Sequence, residues 1–167
     1  MKFISRVLLF ALACAPVLAL ESDRDQPVEI ESDAARFDEQ QGTTSYTGNV
    51  RLTQGSIELL ADRIDLISLE GEITELVAMG QPAHYEQLPA PGAEKLIARG
   101  NTIRYLLAED LIELIGQASL SQEGTTLSGG QILYDVREHV LRASGGDGSQ
   151  ERDRVRVTLP PLGSREE

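Results

Sequence analysis

Tyr46-Thr47-Gly48-Asn49-Val50-Arg51-Leu52-Thr53-Gln54-Gly55, continued by Ile57-Glu58-Leu59, is the stretch whose reading decides the fold. Apolar and polar residues alternate on both sides of the Gln54-Gly55 break. A period of two sends successive side chains to opposite faces, which describes a half-buried strand and not a helix. The same alternation runs through Val28-Glu29-Ile30-Glu31, Arg63-Ile64-Asp65-Leu66 and Val155-Arg156-Val157-Thr158-Leu159. Gly or Pro interrupts it at Gly42, Gly48, Gly55, Gly71, Gly80-Gln81-Pro82, Gly100, Gly116, Gly124 and Gly129-Gly130. Interruptions at this spacing predict an all-β domain of many short antiparallel strands. Tyr105–Leu111 has a helix-compatible composition, but its pattern reads as a strand, a tight turn and a strand.

The quoted stretch recurs 68 residues later. At that offset Arg36-Phe37 falls on Arg104-Tyr105, Gly48 on Gly116, and Leu52-Thr53-Gln54 on Leu120-Ser121-Gln122. Leu59 falls on Leu127, Ile64 on Ile132 and Leu66 on Tyr134, after which the register needs a gap of about three. The chain therefore reads as two similar β units, residues 26–88 and 94–144, joined by the loop Leu88-Pro89-Ala90-Pro91-Gly92-Ala93. A last strand is expected over 153–159, within one domain spanning 20–160, and 161–167 reads as a flexible tail. Stacked β repeats bury a continuous core but leave their two outermost strands unpaired. Unpaired backbone groups on an edge invite a further strand, so the pattern points to assembly by strand addition.

The N-terminus reads as an address. Lys2 and Arg6 precede an apolar run from Val7 to Leu20, which is shorter than the roughly 20 residues that cross a bilayer. Val17-Leu18-Ala19 places small residues where a signal peptidase cuts, so residues 1–19 are expected to be a signal peptide. An uncleaved anchor and lipidation at Cys14 remain as alternatives. Cleavage after Ala19 removes the chain's one Cys and leaves 13 basic against 27 acidic residues.

That acidity excludes a nucleic-acid binder, which carries a basic face. One Cys and two His residues, His84 and His139, exclude an internal disulfide and make a metal centre improbable. No phosphate loop, nucleophile elbow or His-Glu-x-x-His motif is present. Asp62 and Asp65 read as the polar outer face of a strand, and Glu109-Asp110 lacks the spacing of a calcium loop. No cofactor is expected and no enzyme activity.

Three blocks carry a family resemblance. They are Asp25-Gln26-Pro27-Val28-Glu29-Ile30-Glu31-Ser32-Asp33, the Tyr46–Gly55 stretch with Ala61-Asp62-Arg63, and Gly80-Gln81-Pro82-Ala83 before Tyr85. Together they resemble the OstA-like family of periplasmic lipopolysaccharide-transport proteins over about residues 25–160. The resemblance implies a twisted, V-shaped, open β-jelly-roll of about sixteen short antiparallel strands, built from two similar halves. It implies no catalysis. It also implies head-to-tail self-association, an LptC-like domain at the N-terminal edge and an LptD-like domain at the C-terminal edge. The implied ligand is lipopolysaccharide, carried from inner to outer membrane along an apolar groove. A strongly acidic protein gains nothing from long-range attraction to a phosphorylated ligand. The acyl chains of lipid A must supply the binding, at about 0.8 kcal/mol per buried CH₂.

Strand parity, carried onto that family, nominates the groove. Val28, Ile30, Tyr85, Tyr105 and Leu107 take the family's lipid-contact positions. Val50, Leu52, Ile57, Leu59 and Ile103 share their faces. Val28 and Ile30 would also form the N-terminal partner edge, and Val155, Val157 and Leu159 the C-terminal one. The competing readings are a periplasmic LptC-like or structural adaptor that assembles by strand addition without carrying lipid, and an exported enzyme acting on polysaccharide.

Overall fold

The computed structural model describes residues 23–138, 140–145 and 154–161. The expected signal peptide with Cys14, His139 and the end of the tail lie outside the described residues. A single 3-10 turn, Asp23–Asp25, precedes ten strands: β1 Val28–Glu31, β2 Ala34–Asp38, β3 Thr43–Gln54, β4 Ile57–Leu69, β5 Glu72–Gln87, β6 Leu96–Leu106, β7 Leu111–Gln122, β8 Thr125–Asp135, β9 Val140–Ser144 and β10 Arg156–Thr158. All pair antiparallel in one unclosed sheet of order β1-β3-β4-β5-β6-β7-β8-β10, with β2 on β3 and β9 on β8.

The fold class is the expected one, but its strands are built differently. Six of them are long, and each crosses a bend where the ladder slips register: Thr47/Val50, Leu60/Arg63, Met79/Ala83, Arg99/Thr102 and Ile115/Ala118. The bend divides the sheet into two half-sheets of eight strand segments each. β1 and β10 flank one half, β2 and β9 the other. The sixteen short strands that the family resemblance implies therefore correspond to segments on either side of one bend. Gly48, Gly80-Gln81-Pro82, Gly100, Gly116 and Gly129, which read in sequence as strand breaks, sit at the bends. Tyr105–Leu111 is indeed strand, turn and strand, with β6 ending at Leu106. The last strand is shorter than expected: Val155 and Leu159 flank the three residues of β10.

The 68-residue repeat also describes the backbone. β3 and β4 map onto β7 and β8, and the broken pair β1/β2 maps onto the bent β6. Ser68 N–H donates to the Gly42 carbonyl at 2.7 Å, and 68 residues on Val136 N–H donates to the Asp110 carbonyl at 2.9 Å. β9 and β10 together take the place of β5, by their pairing with β8. Each repeat is thus four bent strands, and the second repeat docks on the first through the β5–β6 seam.

Gly48 and Gly116 show why the bend needs glycine. Both have positive φ, +82° and +71°. A Cβ at Gly48 would collide with the Asp33 carboxylate, and one at Gly116 would lie 2.9 Å from the Asn101 side-chain nitrogen. Left-handed backbone costs a non-glycine residue about 1–2 kcal/mol before any clash. Gly48→Ala is expected to destabilise by at least that much, and Gly116→Ala by somewhat less, because Asn101 can rotate away. Urea unfolding of the two variants measures both.

The core lies between the half-sheets. Val50, Leu52, Leu59, Ala83, Ala98 and Ala118 from one half meet Ile64, Ala78, Ile103, Leu114 and Ile132 from the other in one cluster. Four of the buried residues nearest the bend are alanines (Ala78, Ala83, Ala98 and Ala118), which lets the two halves approach closely there. Larger residues, Tyr46, Leu66, Leu76, Tyr85, Ile112, Leu120 and Leu127, are only partly buried and pack around it.

Candidate functional site: an apolar inner face between two open edges

Pairing registers carry the inner face from strand to strand. Starting from buried Ile64, the ladder places Tyr46 and Ala78 beside it, then Ile103, Leu114, Ile132 and Ala143 in turn. In the other half, Leu59 leads to Leu52 and Ile30 on one side. On the other side it leads to Tyr85, Ala98, Leu120, Leu127 and Val157. No Asp, Glu, Lys or Arg occupies any of these positions.

The nominated residues fall into three groups. Val50, Leu52, Leu59 and Ile103 are buried and form the floor of the core. Ile30, Ile57, Tyr85 and Tyr105 are half-buried on the inner face, where a ligand can reach them. Val28 lies on the N-terminal edge and is 51% exposed. Leu107 is half-buried just past the end of β6, and its N–H donates to the Thr74 carbonyl of β5. Among the edge residues, Val155, Val157 and Leu159 are all exposed beside or within β10.

Sequence reasoning missed Phe37, Tyr46, Leu66, Leu76, Ile112, Leu120, Leu127 and Leu141. Phe37 is 70% exposed on the inner face of β2 and meets the Tyr46 ring edge-on, centroids 6.5 Å apart. The repeat held the signal, since Phe37, Leu120 and Leu127 are the 68-residue counterparts of Tyr105, Leu52 and Leu59.

Tyr85 on β5 and Tyr105 on β6 each bring a hydroxyl to the inner face. Tyr85 donates to Gln87 Oε1 at 2.9 Å and Tyr105 to Asp110 Oδ1 at 3.0 Å. Burial pushes the Tyr85 hydroxyl far above its ordinary range, with Asp23 and Tyr105 adding to the effect. It therefore remains neutral. Beyond Gln87, beside the β3–β4 turn, lies a small polar cluster. The Asp23 carboxylate accepts Gln87 Nε2, the Ser56 N–H and the Ser56 hydroxyl at 2.7–2.9 Å. Partial burial raises its pKa, but these three bonds outweigh it and leave the group below its usual value.

Within the strands, ion pairs lie on the outer face. Arg51 pairs with Glu58, Arg63 with Asp65, and Arg104 with Glu75. Across the β5–β6 seam, Arg99 Nε donates to His84 Nδ1 at 3.0 Å, and Glu86 accepts Lys95 Nζ at 2.7 Å and bonds His84 Nε2 at 2.9 Å. Lys95 first, then His84, holds the Glu86 carboxyl down at about 2 from its usual 4.5. A depressed carboxylate stabilises the fold above its unfolded pKa, and that contribution is lost as pH falls through the folded one. The expected result is a stability loss between pH 4.5 and 2 that Glu86→Gln does not share. Thermal unfolding of both proteins across that window tests it.

The two ends of the sheet complete the site. β1 and β2 pair only with β3, and β9 and β10 only with β8, among the described residues. Each end presents apolar inner-face residues to solvent: Val28 and Phe37 at one, Leu141 and Val157 at the other. No group of His, Cys, Asp and Glu suited to a metal ion occurs among the described residues.

Residues 29–140 match the family described as LptA/(LptD N-terminal domain) LPS transport protein. The lipopolysaccharide export system protein LptH of Pseudomonas aeruginosa is 37% identical over 170 residues, covering 96% of this chain and 97% of that protein. LptA of Escherichia coli is 34% identical over 151 residues, covering 89% and 79% respectively. The crystal structure of Pseudomonas LptH superposes with a TM-score of 0.75 at 35% identity, covering 84% of this chain and all of that one. With this match and the open, bent, antiparallel sheet, the chain belongs to the LptA/LptD N-terminal domain family of lipopolysaccharide transport proteins.

Proposed function

We propose that the chain is a periplasmic bridge for lipopolysaccharide, holding the acyl chains of lipid A on its inner face and passing them toward the outer membrane. The observation that carries this reading is the inner face itself: uncharged throughout, apolar, and open at both ends of the sheet. The half-buried residues Ile30, Ile57, Tyr85 and Tyr105 are the candidate lipid contacts, with Val50, Leu52, Leu59 and Ile103 as the floor beneath them. The sugars and phosphates stay in solvent, because no cation lines the face. Twelve buried methylenes release about 10 kcal/mol before ordering costs, enough for capture without charge. No catalytic grouping is needed in this reading, in which the chain supplies a track and no chemistry.

The bridge extends by strand addition at both edges. Residues 1–19 direct export and are removed, an LptC-like domain docks at the β1/β2 edge, an LptD-like domain at the β9/β10 edge, and copies join head to tail between them. Incubating the exported protein with lipopolysaccharide, followed by gel filtration and mass spectrometry of the protein peak, tests the lipid part. Lipid A co-eluting with the protein supports the reading. Lipid-free protein at ligand excess leaves an adaptor that assembles without cargo.

A further inference from the structure

The chain contains its own template for the end-to-end joint. β5 of the first repeat pairs with β6 of the second, in a defined register: Leu76 opposite Tyr105, Ala78 opposite Ile103, His84 opposite Arg99, Tyr85 opposite Ala98 and Gln87 opposite Leu96. The repeat relation assigns each of these positions an end-strand counterpart. β6 corresponds to β1/β2 at an offset of 68, so Tyr105, Ile103, Arg99, Ala98 and Leu96 map to Phe37, Ala35, Glu31, Ile30 and Val28. β5 corresponds to β9/β10 through their pairing with equivalent positions of β4 and β8. Leu76 on Leu66 matches Leu141 on Tyr134, and Tyr85 on Leu59 matches Val157 on Leu127.

We propose that copies of this chain join with β9 and β10 of one antiparallel to β2 and β1 of the next, in the register of the internal β5–β6 seam, with Arg156 opposite Glu31 of the next copy. This rests on the end-to-end reading above and goes beyond it by fixing which residues meet. Besides Ala143 with Ala35, three larger apolar pairs follow on the inner face: Leu141 with Phe37, Val157 with Ile30, and Leu159 with Val28. Each joins exposed or half-buried residues, so the joint continues the core where the isolated chain leaves it open. A slip of one residue would turn all of them to the outer face.

Charge complements the same register, with Glu31 already 3.9 Å from Arg51 of its own chain. The outer face of β1 carries Glu29 and Glu31, and the outer face of β10 and its approach carries Arg154 and Arg156. In a chain of net charge −12, a cationic end strand matched to an anionic one gives the sheet a direction. Arg156 and Glu31 take the places of His84 and Arg99, which bond across the internal seam at 3.0 Å. The same register sets Arg142 opposite Arg36 of the next copy. Arg36 already binds Asp38 at 3.0 Å, and Asp38 falls diagonal to Arg142, which offsets that repulsion.

Disulfide trapping reads the register directly. In a Cys14→Ser background, one tagged copy carries Val157→Cys and a second, differently tagged copy carries Ile30→Cys. The expected result is a mixed-tag disulfide for 157 with 30 and for 141 with 37. Moving the partner thiol from 30 to 28 or 32 should lower the yield about tenfold, because a diagonal pair is too far apart for the bond. Arg156→Glu or Glu31→Arg alone should weaken the 141–37 cross-link about tenfold, and mixing one variant with the other should restore it. All these positions are exposed or at the sheet edge, and unchanged unfolding curves confirm intact protein. Copies that associate on gel filtration but trap at 157 with 28 or 32, or show no charge-swap rescue, overturn the register and leave end-to-end assembly standing. Copies that neither associate nor trap at any pair overturn both.

Discussion

Ile64→Ala is expected to lower the unfolding free energy by about 2–5 kcal/mol, at the upper end of that range. Ile64 is fully buried, and its neighbours on the inner face are Tyr46 on β3 and Ala78 on β5. Both flanking strands are held by further strands, so the site cannot collapse and most of the cavity persists. Its repeat counterpart Ile132 is 1% exposed, but one of its neighbours is Ala143 on the edge strand β9. That strand pairs on one side alone and can shift inward. Ile132→Ala should therefore cost less than Ile64→Ala, although chemistry and burial are the same. Urea unfolding with unchanged m-values distinguishes the two. Equal losses would mean that β9 is as firmly held as the sheet centre.

Leu120→Asp is expected to weaken lipopolysaccharide binding at least about 100-fold while leaving a folded protein, whereas Leu120→Ala weakens it only several-fold. Leu120 is half-buried on the inner face, packed against the core and opposite Ala98 and Leu127. In the free protein an aspartate there keeps water on one side, so the fold survives. Acyl chains laid over it would strip that water from a carboxylate that has no cation to pair with. The same substitution at Ser119 faces outward and should leave binding unchanged. Lipid co-elution and thermal unfolding, measured on the same samples, separate lost affinity from lost structure. A Leu120→Asp protein that binds lipid normally would place the ligand elsewhere.

Much of this was legible because burial in a sheet has a period of two. Val50, Leu52 and Leu59 announced their face, and the Gly48/Gly116 correspondence announced two repeats. The bend was not legible. Glycine serves a tight turn and a kink within a strand equally well, and Gly48 or Gly80 reads as either. Which inner residues stay half-exposed was also hidden, since that depends on neighbours in other strands. Leu59 sits between Leu52 and Tyr85 and is buried, while Ile57, on the same face of the same strand, lies at the strand end opposite Gln54 and is not. Phe37 escaped notice because β2 is short and shows little alternation of its own, so only the repeat match to Tyr105 or the pairing with β3 reveals its face.

The repeat also explains how one chain offers two different ends. Its second repeat docks on its first through a β5–β6 seam, and the outermost strands of the pair are the same structural elements left without a mate. In the joint proposed above, growth by addition of like units would need no surface beyond those already used inside the chain.

The most direct test of the central claim is photo-cross-linking in cells that make lipopolysaccharide. A photoreactive residue replaces Tyr105 on the inner face, and in a second strain Glu58 on the outer face. The account predicts a lipopolysaccharide adduct at 105 and none at 58. Adducts at neither position in folded, exported protein, or equal adducts at both, would contradict it.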